Sequence, residues 1–284
     1  MITITPQEVA LFTTFIHAHS GIALNPTKAY LLESRLGPLL EEAGVASFTD
    51  FFYNGCHSPE WTTRVIDAIT TNETSFFRDQ RPFELLQFKI LPDIVDRLGG
   101  GHDTGSPRLR IWSAACATGQ EVYSVAMVIA ELLGQAVSRW NIKITGTDIS
   151  DAAISRASQG LYSKYELERG LPPHLLGKYF ETRGESFKIR DDLRAMAFFQ
   201  KINLLTPPAG LGPFDVIFCR NVAIYFSQEN RCRLFQQIAR HLSPGGILII
   251  GSTESLLGVS DSFTRHEHHN TVYFQLKPGV GQDR

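Results

Sequence analysis

The sequence predicts an α/β protein in which a small all-helical N-terminal domain precedes a mostly parallel β-sheet covered by helices. Over residues 1–85 apolar side chains recur at helical spacing, and no strand pattern interrupts them. From Arg108 onward, short apolar strands alternate with helices, the pattern of a doubly wound sheet. The runs 216–218 and 247–250 are continuously apolar, as expected for strands buried on both faces. We therefore predict domains at 1–85 and 86–284.

The composition supports a folded protein and excludes several function classes. The chain has 284 residues, of which 43% are apolar and 20% charged, enough for two modest domains with real cores. Its 27 Lys and Arg against 29 Asp and Glu leave a net charge of −2, so we expect no nucleic-acid binding. The N-terminus lacks the pattern of a signal peptide, and the apolar stretch 122–133 is shorter than the roughly 20 residues of a membrane span. We expect a cytoplasmic monomer without membrane insertion, with its four scattered cysteines reduced.

Capping residues mark the helices of the N-terminal domain. Thr5 and Glu8 have the spacing of a capping box, which predicts a helix from residue 6. A second helix ends at Gly44, a residue suited to the left-handed position after a helix. Ser47 and Ser58 then have the positions of two further N-caps.

Strands and helices alternate in the second part. A helix over 82–98 and a glycine-rich surface loop over 99–107 precede the sheet. The predicted strands are 108–115, 142–148, 198–203, 214–221, 247–252 and 272–276. The connection between Gly160 and Phe198 is far longer than a doubly wound fold needs. We expect it to hold a small antiparallel β-subdomain at about 178–200, with strands near 179–181, 186–189 and 197–199.

Residues at the carboxyl ends of the strands are the candidates for ligand binding, because ligands of doubly wound sheets bind there. After the first strand, residues 113–119 are all small and match neither a dinucleotide nor a phosphate-binding loop. Glu121 is either a ligand or an ordinary acid in the first turn of a helix. Asp148 either accepts hydrogen bonds from ribose hydroxyls or caps the next helix. A nucleoside site without a phosphate cradle suggests S-adenosylmethionine, whose tail is an amino acid.

Three segments resemble the chemotaxis receptor glutamate methyltransferases, the CheR family. They are motif 1 (residues 71–78, TNETSFFR), motif 2 (112–124, WSAACATGQEVYS) and motif 3 (218–226, FCRNVAIYF). The resemblance extends over nearly the whole chain. It implies a class I (Rossmann-like) methyltransferase domain with a small antiparallel β-subdomain insert, S-adenosylmethionine as cofactor and S-adenosylhomocysteine as product. It also implies that the methyl acceptors are glutamates on the cytoplasmic methylation helices of methyl-accepting chemoreceptors.

The resemblance assigns roles to individual residues. Tyr225 and Arg78 are implied to be catalytic, Tyr225 facing the reacting methyl group and Arg78 anchoring a carboxylate, which we take to be the cofactor's. The implied cofactor-binding residues are Asn72, Thr74, Arg78, Glu121, Asp148, Asn203, Leu204, Arg220 and Asn221. For Asn221 the alternative is a local bond to the backbone at a strand end.

Other polar or aromatic residues near the motifs are interpreted as structural. Phe76 and Phe77 are expected in the core. His266, His268 and His269 are expected in a polar loop, and no metal site is predicted, since their spacing lacks zinc-ligand geometry.

Two departures from the family bear on its partners. The second helix offers only Lys28 and Arg35 as basic residues, so steering toward an acidic receptor helix is weaker. The loop 182–186 is short, which predicts independence from a receptor C-terminal tethering peptide. The alternatives are a non-catalytic adaptor that binds the cofactor, or a carboxyl methyltransferase with another substrate. The joint presence of the implied cofactor and catalytic residues argues against the adaptor.

Overall fold

The computed structural model describes residues 2–99 and 106–280. Its α-helices are α1 (Pro6–Ser20), α2 (Ala29–Ala43), α3 (Phe48–Asn54), α4 (Pro59–Ile69), α5 (Arg81–Leu85), α6 (Leu91–Gly99), α7 (Gln120–Leu133), α8 (Asp151–Gln159), α9 (Lys164–Glu168), α10 (Pro173–Tyr179), α11 (Asp191–Arg194) and α12 (Gln228–His241). A π-helical turn, Leu86–Ile90, joins α5 to α6, and 3₁₀ turns lie at Pro26–Lys28, Gly134–Arg139 and Ala223–Tyr225. The strands are β1 (Arg108–Ala114), β2 (Asn141–Asp148), β3 (Leu161–Ser163), β4 (Phe180–Arg183), β5 (Ser186–Ile189), β6 (Ala197–Lys201), β7 (Phe214–Cys219), β8 (Leu242–Ile250), β9 (Phe263–His268) and β10 (Thr271–Leu276).

Helices α1–α4 form the N-terminal domain around a core that includes the fully buried Phe12 and Leu36. The predicted caps are confirmed: Thr5 closes a capping box with Glu8, and the side chains of the two predicted serine N-caps accept hydrogen bonds from backbone N–H groups. Gly44 ends α2 at a φ of 68°. Local sequence therefore specifies where these helices begin and end.

The main sheet has seven strands in the order β6-β2-β1-β7-β8-β10-β9. Strands β6, β2, β1, β7 and β8 are parallel to one another, and β10 runs antiparallel to both neighbours. From β1 the chain continues to β2 and β6 on one side, and from β7 to β8 on the other. The switch point therefore lies between β1 and β7, where ligands of such sheets bind. The predicted fold class is confirmed.

The boundary between the two hydrophobic cores lies before residue 85, where the predicted N-terminal domain ends. The N-terminal core ends at Ile69, whereas Phe76 and Phe83 already belong to the core beneath the main sheet. Helix α5 contacts α7 and β10. Both phenylalanines of motif 1 pack in this second core, Phe76 fully buried and Phe77 at its margin, as interpreted from the sequence.

The small antiparallel sheet has the order β3-β5-β4, which corrects the prediction for its third strand. Residues 197–199 lie in β6, which pairs in parallel with β2 at the edge of the main sheet. The third strand of the small sheet is β3, directly after Gly160 and therefore before the expected insert at 178–200. With only three residues, β3 is too short to show an alternating pattern.

Two further expectations concern the glycine-rich loop and the histidine cluster. Residues 100–105 of the expected loop at 99–107 lie outside the described residues. His266 and His268 lie on β9 and His269 in the following turn, so the expectation of a polar loop is wrong for the first two. His266 stacks on Tyr273 of β10 at 5.2 Å between ring centroids.

One stretch, Gln120–Arg139, has the length and hydropathy of a membrane-spanning helix. It comprises α7 and the 3₁₀ turn after it. Residues 122–129 are all buried within the described structure. The α7 part of this stretch is therefore a buried core helix that follows β1.

Candidate functional site

A cavity of about 410 Å³ lies at the carboxyl ends of β1, β2 and β7, within the range of small-molecule sites. Its walls contain all ten residues predicted for the site: Asn72, Thr74, Arg78, Glu121, Asp148, Asn203, Leu204, Arg220, Asn221 and Tyr225. They come from distant parts of the chain because the carboxyl ends of parallel strands meet at one edge of the sheet. Their individual roles stay predictions.

The loop after β1 exposes its backbone to the cavity. Ala115 and Ala117 both line the cavity in the left-handed region, at φ 62° and 48°. Gly119, at φ 93°, begins α7, and a Cβ atom there would lie 2.9 Å from the Cβ of Ala157. The carbonyl of Thr118 accepts a hydrogen bond of 2.9 Å from the Tyr162 hydroxyl, which belongs to the small sheet. Small residues of this loop, Ala115, Cys116 and Ala117, therefore form part of the cavity wall.

Asp148, at the end of β2, is a buried carboxylate held by backbone donors. Its two oxygens accept hydrogen bonds from the N–H groups of Ala117 (2.9 Å) and Ser150 (3.0 Å). Burial raises the pKa of Asp148, and these backbone hydrogen bonds oppose the shift. The side chain of Ser150, not Asp148, caps α8. Because a carboxylate offers about four acceptor positions, Asp148 retains capacity for two more donors, such as ribose hydroxyls.

An ionic cluster centred on the buried Arg220 joins the three motifs. The Arg220 guanidinium donates to Glu121 (2.7 Å), Asp79 (2.8 Å) and the carbonyl of Arg78 (2.8 Å), and its side chain is 2% exposed. Ser113 donates to the other oxygen of Glu121 at 2.7 Å. Glu121 is therefore a fixed member of this cluster and more than an acid at a helix start. Arg220 borders the cavity, but the contacts of its guanidinium are with the protein.

Arg78 differs from Arg220, since it forms no ion pair with any residue the structure describes. Its Nη1 donates to the carbonyl of Glu73 at 3.0 Å, and the side chain lines the cavity. The turn around it is strained, with Phe77, Asp79 and Gln80 at φ 49°, 64° and 40°. The guanidinium therefore has donors available for a bound carboxylate.

Tyr225 lies on a 3₁₀ turn at the end of motif 3, against the N-terminal domain. Its carbonyl accepts a hydrogen bond of 2.8 Å from Ala23, and Ile22 forms a β-bridge with Phe226. Asn203 donates to the carbonyl of His19 at 3.1 Å, so its side chain ties the two domains together. Residues 22–25 thereby form one wall of the cavity.

Sequence reasoning missed this N-terminal wall and several supporting residues. Asp79 is adjacent to motif 1 and Glu254 lies outside all three motifs, yet each holds a motif in place. The contact of Tyr162 with the carbonyl of Thr118 was not predicted from the sequence either. For Asp79 alone a signal existed, because it directly follows motif 1. The backbone N–H of Asn221 donates to the carboxylate of Glu254, and Asn221 adopts a left-handed φ of 56°.

Two protein-family descriptions and several named relatives match this chain over most of its length. Residues 72–272 match the family described as "CheR methyltransferase, SAM binding domain", and residues 7–70 match "CheR methyltransferase, all-alpha domain". A "Chemotaxis protein methyltransferase" of Vibrio parahaemolyticus is 37% identical over 280 residues, 97% of this chain and 99% of the relative. A "Chemotaxis protein methyltransferase 1" of Pseudomonas aeruginosa is 38% identical over 279 residues, 96% of either chain. Among solved structures, the N-methyltransferase NodS from Bradyrhizobium japonicum, in complex with S-adenosyl-l-homocysteine, matches 72% of this chain and 89% of its own at 14% identity, with a TM-score of 0.42.

Proposed function

Because this chain belongs to the CheR family of S-adenosylmethionine-dependent methyltransferases, we propose that it methylates glutamate side chains on the cytoplasmic helices of chemoreceptors. The products are glutamate methyl esters and S-adenosylhomocysteine. The observation that carries the proposal is the convergence of Asp148, Glu121, Arg78 and Tyr225 on one cavity.

The residues around the cavity fit this cofactor. The buried carboxylate of Asp148 has acceptor capacity for ribose hydroxyls, and Glu121 offers negative charge to an amino group. Arg78, free of ion pairs among the described residues, suits a carboxylate. The loop at 115–119 has small side chains and no lysine for a pyrophosphate. When bound, S-adenosylmethionine supplies an electrophilic methyl group on a sulfonium centre.

The proposed reaction needs no general base. A glutamate carboxylate, with a pKa of about 4.3, is already ionised at neutral pH. The protein's contribution is then to hold the acceptor at attack distance and to exclude water from it. In this proposal the hydroxyl of Tyr225 aligns the acceptor carboxylate. Arg78 holds the carboxylate of the cofactor and thereby fixes the position of the donor.

Recognition of the receptor depends little on charge at α2. The Arg35 guanidinium donates to three carbonyls at the end of α4, among them Ile69 at 2.7 Å, so it is committed to the fold. The other basic residue, Lys28, is exposed, lines the cavity and lies in the 3₁₀ turn just before α2. Weak steering of this kind favours recognition by shape over long-range attraction.

Several partner properties are part of the proposal. The β4–β5 hairpin is closed by a loop of only two residues, Gly184 and Glu185, and this short loop supports independence from a tethering peptide. We therefore expect equal methylation of receptor fragments with and without their C-terminal extension. The proposed enzyme acts in the cytoplasm, where its receptor acceptors lie, and we propose that it does so as a monomer.

The experiment that tests the function uses tritiated S-adenosylmethionine and a receptor cytoplasmic fragment, with label scored before and after mild alkali. Alkali-labile label supports a methyl ester. Alkali-stable label, or cofactor binding without transfer to any fragment, contradicts the proposal, the second result favouring an adaptor. Transfer confined to small carboxylic acids favours another substrate.

A pair of variants tests the role of Tyr225. Tyr225→Phe lowers kcat and leaves cofactor affinity close to wild type, because the hydroxyl serves the acceptor. Tyr53→Phe, on an exposed residue of the N-terminal domain, is the control and keeps the wild-type rate. Equal rates for wild type and Tyr225→Phe remove Tyr225 from the catalytic residues.

A further inference from the structure

Glu254 lies outside the three motifs, on the loop after β8, and binds four backbone N–H groups. One carboxylate oxygen accepts from Gly251 (2.7 Å) and Asn221 (2.9 Å). The other accepts from Ala223 (2.9 Å) and Val222 (3.2 Å). A single side chain therefore ties the end of β8 to the segment that follows β7.

The bound N–H groups begin the turn that carries Tyr225. The 3₁₀ turn Ala223–Tyr225 starts after Val222, whose side chain makes no cap hydrogen bond. N–H groups at the start of a helical turn need an acceptor and favour a negative charge. The Glu254 carboxylate, on the loop after the neighbouring strand β8, supplies both the acceptor and the negative charge. It therefore caps this turn although it is distant in sequence. Asn221, just before the turn, adopts a left-handed φ of 56°, which needs support from its surroundings.

Gly251 makes this approach possible. A Cβ atom at Gly251 would lie 2.7 Å from the carboxylate of Glu254 and 3.0 Å from the backbone nitrogen of Asn221. Any larger residue would push the two loops apart. The absence of a side chain at Gly251 therefore allows Glu254 to reach the segment after β7.

We propose that Glu254 is a positioning residue for methyl transfer, which holds the 221–226 segment so that Tyr225 faces the cavity. Asn221 and Tyr225 line the cavity, whereas Glu254 is absent from its walls. Glu254 therefore acts through Tyr225 and does not touch the reactants. The inference rests on the proposed function, in which Tyr225 aligns the acceptor.

The test compares Glu254→Gln with a matched control, Glu8→Gln. Glu8 also accepts four hydrogen bonds, from the N–H and hydroxyl groups of Thr5 and Thr49, but it lies in the core of the N-terminal domain. Each substitution keeps the shape and replaces an acceptor oxygen by a donor that faces donors. We expect Glu254→Gln to lower kcat about tenfold with cofactor Kd within about twofold, and Glu8→Gln to leave both unchanged. An unchanged kcat in Glu254→Gln overturns the inference.

A double variant separates positioning from a general loss of structure. If Glu254 acts through Tyr225, then Glu254→Gln combined with Tyr225→Phe is no slower than Tyr225→Phe alone. Multiplicative losses overturn the inference. Should Glu254→Gln fail to fold, Glu254→Asp, which keeps the charge on a shorter side chain, permits the same comparison.

Amide hydrogen exchange distinguishes this inference from the proposed function. Measured without receptor or cofactor, the amides of residues 221–225 exchange faster in Glu254→Gln than in wild type or Glu8→Gln. Unchanged exchange there overturns the inference, whatever the acceptor is. Faster exchange in an enzyme that forms no methyl ester supports Glu254 as the holder of this segment and refutes the glutamate substrate.

Discussion

The small sheet supports the loop after β1, and Tyr162→Phe tests that connection. The Tyr162 hydroxyl donates to the carbonyl of Thr118 at 2.9 Å, and its ring packs edge-on against Phe76 at 4.9 Å. The substitution keeps the ring and removes one buried hydrogen bond, worth about 1 kcal/mol. Because the carbonyl lies in the loop that borders the cavity, we expect the Kd for S-adenosylmethionine to rise about fivefold, the equivalent of that energy.

The matched control is Tyr123→Phe. Tyr123 is equally buried, and its hydroxyl donates at 2.9 Å to the carbonyl of Ala157, which belongs to α8 and not to the loop. Both variants lower the free energy of unfolding by about 1 kcal/mol and the Tm by about 2–4 °C. Isothermal calorimetry then shows a raised Kd for Tyr162→Phe only. Equal Kd values for the two variants refute the reasoning, since the small sheet would then contribute stability without affecting the loop.

Three other predictions concern charged residues. Burial raises the pKa of Asp148, so on acidification the wild-type affinity for the cofactor falls at a higher pH than it would with an aspartate of ordinary pKa. Calorimetry shows a weaker affinity for Asp148→Asn, and that affinity varies less with pH. Hydrogen bonds from Thr5 and Thr49 lower the pKa of Glu8, so Glu8→Gln is less stable than wild type at pH 7. The difference in Tm between the two proteins shrinks as the pH falls below about 4.5 toward the lowered pKa of Glu8. Arg220→Lys raises cofactor Kd more than tenfold and lowers Tm, because one ammonium group cannot replace the fork that joins Glu121 to Asp79; a wild-type Kd would contradict this.

The grouping of the candidate residues around one cavity was predictable, because the carboxyl ends of parallel strands lie together. Asp148 and Glu121 follow two parallel strands, so the strand pattern alone placed them at one edge. The roles of Arg78 and Tyr225 came only from family resemblance. The N-terminal wall at 22–25 was not predictable, since its β-bridge to Phe226 pairs segments far apart in the sequence.

The errors in the fold have a related cause. Strand β3 has three residues and gains its identity from pairing with β5, which a local pattern does not show. Residues 197–199 were expected in the insert, although 198–203 was also predicted as a strand of the main sheet. Pairing with β2 places them in the main sheet, where Ile144 lies opposite Ala197. Capping signals, by contrast, act within a few residues, and those of the N-terminal domain were read correctly.

At this edge of the sheet, charged side chains bind segments whose backbone is strained. Ala117, Asp79 and Asn221 all have positive φ values and lie where strands or motifs turn into the cavity. Such conformations cost of the order of 1–3 kcal/mol each and persist only where their surroundings hold them. Each has its own ionic holder: the Asp148 carboxylate binds the Ala117 N–H, and Glu254 binds that of Asn221. At Asp79 the Arg220 guanidinium instead donates to the side chain and to the carbonyl of the preceding residue, Arg78. A neutral substitution at any holder therefore releases a strained segment, so its effect on the cavity exceeds that of the single bond it removes.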